Sequence, residues 1–212
     1  MMSNLQYSDL INYLSKDNII GSGKEVKVYN YNDKVIKIFH DERKSQIERI
    51  SDVGLMKLST LDLTYFNKPI DIIYKDDEII GYTERKLIEE EYELNNIDFD
   101  GLKDDVITLS ENGFTIQDLY YNSIFSDNNL YFTDLTSYKY IDTKEPFLKN
   151  FILKNNIKEI NIFLIGLIHF DAFKTKGTNE YTKIYLANEY RLNNIKDEFY
   201  GDTIEKINMR NK

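Results

Sequence analysis

Lys37 lies between Ile36 and Ile38 in the apolar run Val35-Ile36-Lys37-Ile38-Phe39. A lysine that points inward from such a strand needs an anionic partner, because burying a charge alone is costly. Gly23, fourteen residues earlier, closes a glycine turn, Gly21-Ser22-Gly23-Lys24, set between Ile19-Ile20 and Val28-Tyr29. Glycines in that position let backbone amides come close to a phosphate. Two aspartates complete the set. Asp118, in Ile116-Gln117-Asp118-Leu119, can orient a hydroxyl or accept its proton. Asp134, in Tyr131-Phe132-Thr133-Asp134-Leu135-Thr136, ends an apolar strand and is the best metal-ligand candidate in the chain. Amides and a lysine for phosphate, one carboxylate for a hydroxyl and another for a metal together describe a nucleotide-phosphate site.

The elements that must position these residues are legible in outline. Leu5, Leu10, Ile11 and Leu14 recur at helical spacing and predict a short amphipathic helix ahead of the glycine turn. Ile19 to Tyr31 and Lys34 to Phe39 read as strands joined at Asn32-Asp33. The pattern over Glu42 to Leu61 is helical. Ile70 to Tyr74 and Glu78 to Thr83 alternate about Lys75-Asp76-Asp77 as two further strands. The charged run Glu84 to Glu93 reads as a solvated connector. Leu102 to Asn112 predicts a helix stopped by Gly113. Ile124-Phe125 and Leu130 to Thr133 predict a hairpin about Ser126 to Asn129, and Ile152 to Phe173 a second apolar helix. The expected fold is α+β, one domain over 1–212, with a five-stranded antiparallel sheet and one helix in its first part.

In series, these segments resemble the protein kinase superfamily in a small, truncated, bacterial-type form, the likeness covering roughly Ile19 to His169. The resemblance implies two lobes, an N-lobe of about 1–85 and a shortened, mainly helical C-lobe of about 86–212. It implies ATP and magnesium as cofactors. Gly21, Ser22, Gly23, Val28 and Lys37 would bind the nucleotide, and Lys37 and Asp118 would serve catalysis. A carboxylate on the following helix, Asp52 or Glu48, would pair with Lys37. Asp134-Leu135-Thr136 stands where the family has Asp-Phe-Gly, and Ser123 or its neighbour Asn122 where it has a second metal ligand. Asn161 opens a segment similar to the buried helix that the family starts with aspartate. Val26, Ile116, Tyr120, Ser123 and Thr136 depart from the pattern, at the third glycine, the histidine, the catalytic-loop lysine, the asparagine and the last glycine.

Composition bounds the function classes. A net charge of -9 opposes nucleic-acid and anionic-membrane partners. The absence of cysteine excludes disulfides, thiol catalysis and zinc-thiolate sites, and the two histidines, His40 and His169, lack metal-spaced partners. The N-terminus lacks a secretory layout, so the expected location is cytoplasmic, or a host cytosol for a delivered effector. Three functions remain open: a phosphotransferase acting on a protein hydroxyl or on itself, a pseudokinase that binds a nucleotide or a protein partner without transfer, and a small-molecule kinase. Oligomeric state leaves no trace in the sequence.

Overall fold

The computed structural model describes residues 4–23, 25–40, 50–91, 97–120, 122–170, 180–195 and 198–202. Strands form where β-branched and aromatic residues alternate between turn pairs. β1 (Asn4–Gln6) precedes a short helix, α1 (Tyr7–Leu10). β2 (Ile19–Ser22) and β3 (Val26–Tyr31) join at the glycine turn, and β3 meets β4 (Lys34–Phe39) at Asn32-Asp33. β5 (Asp71–Lys75) and β6 (Glu78–Arg85) close through Asp76-Asp77, both left-handed, as mirror-image hairpin turns require.

β2 to β6 pair antiparallel, whereas β1 runs parallel to β5 with Asn4 opposite Ile72 and Gln6 opposite Tyr74. The sheet order is β1-β5-β6-β4-β3-β2. The five-stranded antiparallel sheet is thus corrected to a mixed sheet of six strands. Three residues paired through their backbone carry no alternation long enough to read. For the same reason the N-terminal helix is shorter than its periodicity suggests: Leu5 is a strand residue, and a 3-10 turn at Ile11–Tyr13 follows α1.

Side chains alternate between the faces of a strand, and the two faces bury different partners. Leu10 packs with Tyr29, Ile36 and Ile73 on one face. Ile72 and Tyr82 enter the larger core with Leu55 and Leu58 of α2 (Asp52–Ser59). Across the β4–β6 ladder Lys37 opposes Tyr82 and Val35 opposes Glu84, so Lys37 and Glu84 share this second face. The expected solvated connector therefore starts too early: Glu84 is a β6 residue only 3% exposed. The predicted helix over Glu42 to Leu61 is α2, capped by Ser51, whose Oγ accepts from Gly54 N at 3.1 Å; residues 41–49 lie outside the described set.

The remainder is mainly helical. α3 (Phe99–Glu111) is capped by Asp98, which accepts from Gly101 N at 3.0 Å and from the Tyr65 hydroxyl at 2.6 Å. It stops at Gly113, whose φ of 86° suits glycine. β7 (Phe114–Thr115) pairs with β10 (Lys139–Tyr140), and β8 (Ser123–Ser126) with β9 (Asn129–Phe132). α4 (Pro146–Phe170) packs against both α3 and α5 (Glu180–Asn194). One buried carboxylate ties α3 to the segment between α2 and β5. Asp105 of α3 accepts from the backbone amides of Thr64, Tyr65 and Phe66, and that segment brackets β9 through Phe132 N to Tyr65 O and Asn67 N to Phe132 O. Among the described residues no helix is long and apolar enough to cross a membrane.

Candidate functional site

Among the described residues, non-glycine positions with positive φ fall in hairpin turns except for two, Asp118 at 60° and Asp134 at 57°. Aspartate tolerates this conformation at some cost, and such strain gathers at functional sites. Both residues line one cleft of about 820 Å³. Its roof is Gly23, Glu25 and Val26 at the glycine turn; its other walls are Ile50-Ser51, Gln117, and Ser137 to Ile141.

A small set of hydrogen bonds fixes the two aspartate segments. Asn156 of α4, fully buried, accepts from Ile116 N at 2.7 Å and donates to Phe114 O and Ser110 Oγ, each at 2.8 Å. It thereby holds the chain two residues before Asp118. Asn122 donates to the Asp118 carbonyl at 3.0 Å, and its own carbonyl accepts from Thr133 N at 2.7 Å, next to Asp134. The Gln117 side chain donates to the Ser137 carbonyl beyond Asp134. Asp134 Oδ1 accepts from Thr136 Oγ1 at 3.2 Å.

Lys37 stands behind Asp134. Its Nζ is 2.8 Å from Glu84 Oε1 and 3.7 Å from Asp134 Oδ1. Burial by itself would lower the lysine, but Glu84, Tyr82 and Asp134 outweigh it and hold the ammonium above its usual value. Burial pushes the Glu84 carboxyl up, Lys37 pulls it down, and Asp134 pushes it up again; it stays above the usual glutamate range. Glu84 Oε2 is buried with no hydrogen-bond partner.

Of the two helix carboxylates expected to pair with Lys37, one is placed away from it and the other is not described, and the described partner at 2.8 Å is Glu84. Asp52, exposed at the first position of α2, is not among the carboxylates at Lys37, and Glu48 lies outside the described residues. The partner comes from a neighbouring strand because Glu84 lies two residues beyond Tyr82, which directly opposes Lys37. Gly23, Asp118 and Asp134 line the same cleft, and Val28 opposes Lys37 in the β3–β4 ladder. A Cβ at Gly21 or Gly23 would make only ordinary contacts, so the fold itself makes no demand for glycine there. Ser22 is exposed at the end of β2, outside the cleft lining. Ser123 is buried with its Oγ unpartnered, and Asn122 is committed through its amide nitrogen to the Asp118 loop.

Three residues with work at the site escaped the sequence. Glu84 is one. Asn156 is another: it holds the chain ahead of Asp118, whereas Asn161, which opens the segment similar to the family's buried helix, bonds Glu198 O and Tyr200 N. The third is Tyr138, whose hydroxyl is buried without a hydrogen-bond partner in the cleft wall. Burial first, then Asp134 and Asp118, raise its phenol well above the usual value.

The chain matches no known family model and no curated protein sequence. The chemistry of the donor set fits magnesium held together with phosphate. No group of three or more His, Asp or Glu among the described residues is arranged to hold a metal alone, but magnesium takes one or two carboxylates and completes its shell with phosphate oxygens and water. Asp134, 35% exposed at the side chain, offers such a carboxylate.

Proposed function

We propose that the chain is an ATP- and magnesium-dependent phosphotransferase of protein kinase type, its sheet and helical part corresponding to the two lobes. The observation that carries this reading is that Asp118 and Asp134, both in left-handed backbone, line one cleft with buried Lys37 3.7 Å from Asp134. Lys37 would neutralise phosphate charge, and the glycine turn would bring backbone amides over the phosphates. Magnesium, held by Asp134, would supply positive charge to the transferring phosphoryl group. Asp118 would orient the acceptor hydroxyl and take its proton. Asn156 would position Asp118 through Ile116, and Glu84 would keep Lys37 extended towards the cleft.

The second reading is a pseudokinase, favoured by Val26, Ile116, Tyr120, Ser123 and Thr136 in place of the family's residues. Two measurements decide. Saturating Mg·ATP at a hundredfold over its Kd should stabilise the fold by about 2.7 kcal/mol, raising Tm by roughly 5–10 °C for a chain this size. The double variant Lys37→Met/Glu84→Gln, which removes both buried charges together, should lose that shift. An unmoved melting curve in the unaltered chain refutes the nucleotide site. With γ-labelled ATP, Asp118→Asn should slow transfer about 10²–10⁴-fold with ATP affinity kept, and Asp134→Asn should abolish it. Nucleotide binding without transfer under any metal assigns the chain to the pseudokinases.

A further inference from the structure

Asp118 lines two cavities. Besides the cleft it shares with Asp134, it borders a second one of about 540 Å³ between α4 and α5. Tyr181, Ile184, Tyr185 and Asn188 fall on one face of α5 at i, i+3, i+4 and i+7. Lys158, Glu159, Ile162 and Phe163 face them from α4. Leu119 and Tyr120 close the end beside Asp118. Tyr120 replaces the cationic residue expected after the catalytic aspartate, and the structure gives it a different task. It donates to the Ile162 carbonyl at 3.3 Å, meets Phe163 edge-on at 5.4 Å, and lies against Gly166 so closely that a Cβ there would come within 1.9 Å of its oxygen. Two helices, a tyrosine floor and a glycine that admits it make a formed concavity.

Volume, walls and charge select the occupant. Small-ligand sites span about 300–1,000 Å³ and are mostly apolar and aromatic with few polar groups, as this one is. Tyr181 and Tyr185 are 76% and 61% exposed, so both rings are available for stacking. Among the described lining residues, Lys158 and Glu159 lie 3.5 Å apart and offset one another, and with Asp118 the charges sum to −1. An anionic ligand would be repelled.

We infer that this second cavity is the acceptor site, and that the acceptor is a small, uncharged ring compound with a free hydroxyl, stacked on Tyr181 and Tyr185 with the hydroxyl at Asp118. The inference rests on the phosphotransferase reading above. In the reaction the acceptor oxygen bonds to the γ-phosphorus of ATP as the bond from that phosphorus to the β–γ bridging oxygen breaks. ADP leaves with the electron pair, and the acceptor proton passes to Asp118 and then to water.

The test uses the full chain and two probes, 4-nitrophenyl glucoside and its anionic counterpart, 4-nitrophenyl glucuronide. Ligand-observed NMR measures binding, and mass spectrometry measures phosphorylated glucoside formed from Mg·ATP. The glucoside is expected to bind and to be phosphorylated, with the glucuronide weaker. Tyr181→Ala/Tyr185→Ala should weaken the glucoside about tenfold, the loss expected for two exposed stacking contacts, while the Mg·ATP melting shift stays intact. Absence of glucoside binding with the Mg·ATP shift preserved overturns the acceptor site alone. Absence of both overturns the nucleotide reading beneath it. Equal binding of the glucuronide, glucoside binding unchanged in the double variant, or label transfer to a basic protein with none to the glucoside each overturns the inference.

Discussion

Replacing Asn156 by leucine removes one residue that holds the whole approach to Asp118. The side chain makes three hydrogen bonds, at 2.7, 2.8 and 2.8 Å, and is fully buried. Ser110 Oγ keeps its bond to Val106 O at 2.6 Å, so the loss falls on Ile116 N and Phe114 O. Leaving a buried polar group unsatisfied costs about 1–3 kcal/mol; leucine matches asparagine in heavy-atom count but is bulkier, so no cavity forms and overpacking of the closed site adds to the cost. For the two groups together the expected destabilisation is about 2–6 kcal/mol before overpacking, read as a lower midpoint in urea with an unchanged slope. Asn156→Asp keeps an acceptor for Ile116 N and isolates the donor side. Asn156 is fully buried and outside the cleft lining, so on the phosphotransferase reading a variant still folded at low temperature should lose kcat while keeping ATP affinity. Full stability in Asn156→Leu would refute the role of these bonds in holding the fold. An unchanged kcat with reduced stability would refute the positioning of Asp118 while leaving the packing intact.

The buried pair gives a sharper contrast. Lys37→Met leaves Glu84 buried and unpaired and should cost about 3–5 kcal/mol, whereas Lys37→Met/Glu84→Gln should recover most of it; equal stability of single and double variants in a denaturant series would refute the pairing. Because burial holds the Glu84 carboxyl above its usual range, the single variant's deficit should shrink as pH falls and the carboxyl takes a proton. At the alkaline end, burial first and Tyr190 next push the Tyr200 phenol up to about 12, and burial also raises Tyr82 and Tyr138. Their stability contribution is intact below the unfolded value near 10 and is lost as pH climbs through the folded values. Tyrosinate absorbance should therefore show a late cooperative step coincident with unfolding, and a smooth titration near pH 10 with the fold intact would contradict it.

Local pattern determined much of this protein. Hairpins about Asn32-Asp33, Asp76-Asp77 and Asp127-Asn128, the stop of α3 at Gly113, and the apolar run of α4 were legible because turn chemistry and periodicity act over a few neighbours. The types and order of Lys37, Asp118 and Asp134 pointed to phosphate, hydroxyl and metal from the residues themselves. Tertiary structure decided the partners. Parity along β6 put Glu84 on the face of Tyr82, but only the β4–β6 register, joining residues more than forty apart, set it against Lys37. The parallel pairing of β1 has no side-chain signature, since backbone hydrogen bonds are blind to residue type. Asn156 and Asn161 are equally polar and lie on the same helix; which one holds the Asp118 loop depends on how α4 is rotated against α3 and β7. Burial drives that choice, because a polar group excluded from water must find its partner wherever the packed chain places one.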